Sequence, residues 1–330
     1  MLRAPPSRAS SLREIGDKLR RAGLTQPALL AWSGTHRIST WPWKLSGFTK
    51  LPVTPAASTL ALFVGGLDQP ISRLAALPLD ALVEHGLVDI ANDTVHAKVA
   101  ILPLEQTLVV CDRLDADDDE SSASSRRNLV CWPDDSSYHL ASAIPPGRRA
   151  RWIDLATGSA FAPLARPALA SSILGIDLNE RAIRFARLGT QLSGCSHVEL
   201  SRADIGEIIT EPAQLVTCNA PILADPDPAI WRSTDQAFFD RMWRTARACV
   251  APGGEVIVHC VVEGIPDDLE GDLTTVVYTP PEEPGYAVTW WSPDAPARRS
   301  RRYRELTAAR PHLEPRDRDD VRAGALPDPG

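Results

Sequence analysis

The 330-residue chain holds little that would tie it to a membrane, a metal or an oxidising compartment. No apolar run approaches the roughly 20 residues that span a bilayer, and no apolar signal core stands near the first residue. The six cysteines, Cys111, Cys131, Cys195, Cys218, Cys249 and Cys260, form no C-x-x-C pair and no Cys/His cluster. Free buried thiols in a reducing compartment are expected, with no metal site and a cytoplasmic location. Lysine is scarce: Lys18, Lys44, Lys50 and Lys98 are the only ones among 35 Lys and Arg residues, a bias of codon usage before one of recognition. Against 42 acids the formal net charge is -7, which disfavours nucleic-acid binding through bulk electrostatics. There is also no G-x-G-x-x-G, the turn that a dinucleotide pyrophosphate requires.

What the chain does have is one well-patterned stretch, from Arg151 to Ile222. Trp152–Leu155 is a short apolar run of the kind a buried parallel strand shows. The small residues Ala156-Thr157-Gly158-Ser159-Ala160 follow, where the chain can turn tightly and open a helix against a ligand. Ile173–Ile176 is a second apolar strand ending at Asp177, and Ala182, Ile183, Phe185, Ala186 and Leu188 then recur at helical spacing. Strand, turn, helix, strand, acid is one unit of a doubly wound sheet. The acid about 20 residues past the turn is placed to accept from ribose hydroxyls. Asp204 follows a third strand, and Asn219-Ala220-Pro221-Ile222 closes a fourth.

This series resembles a class I S-adenosylmethionine-dependent methyltransferase, and residues 150–292 follow the whole pattern, including FFDRMWRTARACVAPGGEVIVHC. It is most similar in kind to HemK-type glutamine methyltransferases and to amino-directed RNA and DNA methyltransferases, which carry Asn-Pro-Pro-Tyr where this chain has Asn219-Ala220-Pro221-Ile222. The resemblance implies an α/β fold with a doubly wound, mostly parallel seven-stranded sheet and S-adenosylmethionine as cofactor. By resemblance Asp154 meets the amino acid portion of the cofactor. Ala156 and Gly158 form the turn, Asp177 and Leu178 take the ribose, Ala203 and Asp204 border the adenine, and Asn219 accepts from the target amine. The relatives have Gly-x-Gly-x-Gly where this chain has Ala156, Gly158 and Ala160. An added methyl is harmless at negative φ but blocks a position with φ > 0, so cofactor binding turns on those dihedrals. Ile222 replaces the aromatic residue, and planar stacking from that position is lost.

The rest of the chain divides at composition shifts. Residues 1–10 read as a loose terminus and 11–114 as a helical domain ending in strands around Asn92-Asp93, similar to a winged helix. Helices are expected at Gln26–Trp32, in STLALFVGG and in LDALVEHGL, with TVHAKVAILPL as one strand. Trp41, Trp43 and Phe48 are expected to pack the first helices together. The presumed recognition helix, PLDALVEHGL, has no arginine or lysine, so a protein partner or a capping role is favoured over DNA. Residues 115–128 read as an acidic, Ser-rich linker and 129–295 as the methyltransferase-like domain. Residues 296–330 are expected to hold a helix at SRRYRELTAA and a flexible tail. Within 129–295 an apolar strand should end at Trp132, with a helix beginning near Tyr138 and capped by Asp134, Asp135, Ser136 and Ser137. Those four, with Pro221 and Ile222, are candidate substrate contacts, and Tyr138 and His139 join Asn219 as catalytic candidates. LTTVVYTPP and YAVTWWSPD should pair at the sheet edge, with one of Trp290 and Trp291 buried and one exposed.

Two functions compete at this stage. One is methyl transfer to nitrogen or oxygen of a small or carrier-bound molecule in specialised metabolism. The other keeps the fold but catalyses a non-methylating cyclisation or leaving-group elimination, such as aziridine formation. A non-catalytic subunit that stabilises a partner is a third reading.

Overall fold

The computed structural model describes residues 8–34, 53–113, 128–207, 210–223, 233–279 and 285–327. Trp41, Trp43, Phe48 and all of the acidic linker except Asn128 lie outside the described residues. The largest element is an eight-stranded sheet: β1 (Arg149–Leu155), β2 (Ala170–Asp177), β3 (Val198–Arg202), β4 (Ala213–Asn219), β5 (Val250–Val261), β6 (Asp272–Val277), β7 (Tyr286–Ser292) and β8 (Arg298–Tyr303). Their order across the sheet is β3-β2-β1-β4-β5-β7-β6-β8, and β7 alone runs antiparallel to its neighbours. The order reverses between β1 and β4, which opens a crevice beyond the carboxyl ends of the strands.

Five helices accompany it: α1 (Asp135–Ala143), α2 (Phe161–Ala165), α3 (Glu180–Ser193), α4 (Gln236–Cys249) and α5 (Pro315–Arg322). Successive strand residues point to opposite faces, and here both faces are covered. Trp152, Leu215, Ile257 and Trp290 join one core, while Ile153, Val216, Val256 and Trp291 join a second core closed by Phe239, Met242 and Trp243. Trp290 and Trp291 are therefore both buried, which corrects the expectation of one exposed ring. Burial leaves each indole N–H in need of an acceptor. Trp290 Nε1 donates to Ala143 O at 3.0 Å and Trp291 Nε1 to Glu270 O at 2.7 Å.

The sheet also extends one strand further than expected. The arginine-rich run Arg298–Tyr303, read as a helix, pairs parallel with β6 as the edge strand β8. Its arginines meet solvent and backbone carbonyls, such as Arg298 to Arg322 O at 2.8 Å and Arg299 to Pro266 O at 2.7 Å, so it lacks the apolar alternation that marks an interior strand. The helix falls instead at α5, where Glu314 and Asp317 form a capping box with Pro315 at the first turn. Ion pairs hold it down: Arg322 to Asp272 at 2.7 Å, Arg304 to Asp317 at 3.2 Å, and Arg318 to Glu255.

N-terminal to the sheet are helices at Arg8–Arg21, Gln26–Ser33, Pro55–Phe63 and Leu79–Glu84, and a three-stranded antiparallel sheet of Gln69–Pro70, Thr94–Ala97 and Val88–Ala91. Asn92 and Asp93, with φ of 51° and 59°, make the two-residue hairpin turn. TVHAKVAILPL is not one strand: the chain leaves the first sheet after Ala97 and forms a separate hairpin of Ala100–Pro103 with Leu108–Cys111. This hairpin and the first helix pack on α3. A Cβ on Gly16 would stand 2.0 Å from Leu192 O, so only glycine permits that approach. Leu108 N donates to Ser193 Oγ at 2.9 Å, and Thr107 Oγ1 to Leu164 O at 2.6 Å. Among the described residues no helix is long and apolar enough to cross a membrane.

Candidate functional site

The turn between β1 and α2 is built from alternate left-handed residues. Ala156, Gly158 and Ala160 have φ of 50°, 54° and 58°. The backbone thus takes a shape that favours glycine, although two of the three residues are alanine. Ala160 is fully buried, so its methyl belongs to the core and not to the crevice. A Cβ on Gly158 would meet nothing within 4 Å, which leaves open space beside the turn.

Two carboxylates hold this loop. Asp154, 3% exposed at the end of β1, accepts from Thr157 Oγ1 and from Thr217 Oγ1, each at 2.5 Å. Thr217 in turn accepts from Trp152 Nε1 at 2.7 Å, so both oxygens of Asp154 tie β1 to β4 and to the turn. Burial pushes its pKa up to about 6 against the pull of the two threonines. Asp177 accepts from Gly158 N through Oδ2 and from Asn179 N through Oδ1, both at 2.8 Å. Burial raises its pKa as well, and the two backbone donors oppose that. Each oxygen keeps a lone pair for a further donor. Asp204 Oδ1 accepts from Gly206 N at 2.8 Å and faces Arg241 Nε at 3.8 Å, so it caps the short helix Ile205–Glu207 while lining the crevice.

Across the crevice, Asn219 ends β4. Ser136 Oγ donates to Asp134 Oδ1 at 2.5 Å, so its single proton is used. It must therefore accept from Asn219 Nδ2, which lies 2.9 Å away and also reaches Ser137 Oγ at 3.3 Å. That orients the amide and leaves Asn219 Oδ1 buried with no partner. Asp134 is the N-cap of α1, which begins at Asp135 and not near Tyr138. Residues 128–133 form no strand. They are an irregular roof held by Val130 N to Asp112 Oδ2 at 2.8 Å and Asn179 Nδ2 to Asn128 O at 3.0 Å.

These pieces enclose a cleft of about 780 Å³, within the range for small-molecule sites. Asp134, Asp135, Ser136, Ser137, Asp154, Ala156, Gly158, Asp177, Leu178, Asp204, Asn219, Pro221 and Ile222 all line it. Ala203 does not, and Ile205 takes its place as an apolar wall. Tyr138 and His139 do not line the cleft, although His139 packs behind the wall on Tyr278 with ring centroids 4.2 Å apart. Tyr138 packs on Phe161 and His312, and His139 Nδ1 accepts from Leu313 N at 3.1 Å. The lining also holds His259, Tyr278 and Tyr286 from β5, the end of β6 and β7, which sequence reasoning did not single out. A polar His259 in the otherwise apolar run VIVHCVV was the available signal.

The strand order, the glycine-like turn and a cleft at the switch point define the class I methyltransferase architecture, with an eighth strand added. No family model and no curated protein matches the chain. Among solved structures it is similar to a putative methyltransferase from Streptococcus mutans in complex with SAH, at 17% identity, covering 47% of this chain and 94% of that one with a TM-score of 0.36. It is similar also to an rRNA methylase from Streptococcus thermophilus (14% identity, 48% and 93% covered, TM-score 0.35). A putative methyltransferase from Pseudomonas syringae is a third (13%, 48% and 96%, TM-score 0.37).

Proposed function

We propose that the cleft binds S-adenosylmethionine and that the protein transfers a methyl group to nitrogen or oxygen of a small or carrier-bound molecule in specialised metabolism. The observation that carries this reading is the left-handed backbone at 156, 158 and 160, kept despite two alanines. Strain of this kind persists where a site depends on the shape. Ala160 keeps its methyl in the core, so of the two alanines only Ala156 brings a methyl to the cleft wall, and the close approach stays open at Gly158. The open space at Gly158 and the outward lone pairs of Asp177 fit the cofactor. Asp177 and Leu178 would hold its ribose, Asp204 and Ile205 its base, and the turn near Asp154 its amino acid end. Bound there, the cofactor supplies an electrophilic methyl on a sulfonium centre. The chain's own part is positioning: Asn219 Oδ1 accepts from the acceptor group and the cleft walls keep water out.

Among the described residues six carboxylates line the cleft, Asp134, Asp135, Asp154, Asp177, Asp204 and Asp235, against one cation, Arg241. That balance favours cationic or neutral ligands over phosphodiesters. The helix Leu79–Glu84 likewise carries acids and no base. Calorimetric titration with S-adenosylmethionine and S-adenosylhomocysteine tests the reading, on wild type, Asp177→Ala and Gly158→Ala. Micromolar binding is expected, lost in Asp177→Ala. Gly158→Ala should lose about 1–2 kcal/mol to its left-handed φ and still fold, because its methyl meets nothing, yet bind poorly because the methyl stands beside the turn. No heat and no thermal shift at millimolar ligand would sink the proposal.

A further inference from the structure

The inner end of the cleft is made by β4 to β7 and is chemically unlike the loop end. Asn219 and His259 are register partners on adjacent parallel strands, so their side chains leave the same face of the sheet. His259 is 3% exposed, with Nε2 at 2.8 Å from the Tyr278 hydroxyl and Nδ1 without a partner. Asn219 Oδ1 is also buried and unmatched. Among the described lining residues the one other unmatched buried atom is Arg241 Nε, which faces Asp204 at 3.8 Å. A buried polar atom with no partner is destabilising by roughly 1–3 kcal/mol, so a group that partners both atoms would be favoured at this end of the cleft.

The character of that group follows from what surrounds it. Asn219 Oδ1 can only accept, so the ligand must donate. Burial lowers the pKa of His259 to about 3, and the aromatic groups facing it are uncharged too. His139, with ring centroids 6.5 Å apart, has its pKa lowered to about 2 by burial, and burial pushes Tyr278 up. Tyr286 stacks at 6.2 Å. Among the described residues that line this end, no lysine or arginine stands to meet an anion. The two tyrosines line the cleft from β7 and the end of β6, so aromatic faces are present although Ile222 supplies none.

We infer that this inner end is an acceptor subsite for an uncharged N–H or O–H group on a planar ring, held by Asn219 Oδ1 and His259 Nδ1 beside Tyr278 and Tyr286. Carboxylates and phosphates are excluded. The use made of the group rests on the methyltransferase reading; its binding does not.

The experiment titrates phenol, aniline, benzoate and phenyl phosphate into the full-length protein carrying isotope-labelled histidine, and follows the His259 ring signals by NMR. Phenol or aniline should shift those signals, and benzoate and phenyl phosphate should not. In His259→Phe, which keeps a ring in the core, and in Asn219→Ala, the fragment affinity should fall on the order of tenfold. Equal binding of the anions, no response to any fragment, or unchanged affinity in both variants would overturn the subsite. S-adenosylhomocysteine titrated into the same wild-type sample separates the two readings. Its binding without a fragment response overturns the subsite alone, and a fragment response without its binding leaves the subsite standing and overturns the cofactor.

Discussion

Ala156→Gly and Ala160→Gly separate backbone strain from burial at two positions with nearly the same φ, 50° and 58°. A non-glycine residue in the left-handed region is disfavoured by about 1–2 kcal/mol, and glycine escapes this. Glycine's greater freedom in the unfolded chain takes back roughly 0.4–1 kcal/mol. The backbone balance is a gain of about 0.5–1 kcal/mol at either site. The side chains then differ. Ala160 is 0% exposed in the larger core, and loss of its methyl forfeits about 0.8 kcal/mol plus a small void. Ala156 is half-buried at the margin of the second core and loses less. Ala156→Gly should therefore stabilise the protein by about 0.5 kcal/mol, while Ala160→Gly should be neutral or destabilising. Urea unfolding followed by tryptophan fluorescence, with midpoints compared at equal slope, reads both. A loss above about 0.5 kcal/mol in Ala156→Gly would refute the left-handed backbone there.

Three further outcomes follow from named contacts. Between roughly pH 4 and 6, native Asp154 holds a proton that the unfolded chain has lost, so stability should fall as pH rises through that window. The raised pKa corresponds to about 3 kcal/mol at pH 7, and Asp154→Asn should gain on wild type by that order from pH 4 to 7; a difference flat with pH would contradict it. Asp112→Ala leaves Arg181 and the Val130 N–H without their acceptor, so it should destabilise by about 2 kcal/mol and loosen the roof at 128–133. Faster hydrogen exchange confined to that roof is the check. Asp317→Ala strips Arg304, Arg310 and Glu314 N of a fully buried acceptor, and should lower stability by about 3 kcal/mol. Limited proteolysis should then cut first between 304 and 322, and an unchanged digestion pattern would count against Asp317 as the anchor of α5.

The parts legible in the sequence are those written locally. The run from Trp152 to Asp177 and the helix behind it carry their own periodicity, and the first five strands and the cleft lie where that stretch places them. What was hidden is non-local. His259, Tyr278 and Tyr286 come from separate strands that meet only through sheet order, so no spacing connects them. The burial of Trp291 depends on α4 covering the second face, and a strand pattern cannot state what covers it. Arg298–Tyr303 lacks alternation because its side chains meet solvent and backbone carbonyls, whereas Glu314-Pro315-Arg316-Asp317 was a readable cap that marked the true helix. Tyr138 and His139 were near in sequence to the cleft, yet helical geometry turns them away from it while Ser136 and Ser137 face in.

That back face of α1 sets an order of events during synthesis. Leu313 N binds His139 Nδ1, and His312 stacks on Tyr138 with ring centroids 5.6 Å apart. The helix that presents Ser136 and Ser137 to Asn219 is thus braced by residues made more than 170 positions later. A nascent chain can form β1 to β4 on the ribosome while that wall of its own cleft still lacks its support. A product cut short before residue 312 would carry every residue of the cleft and still lack the brace behind α1.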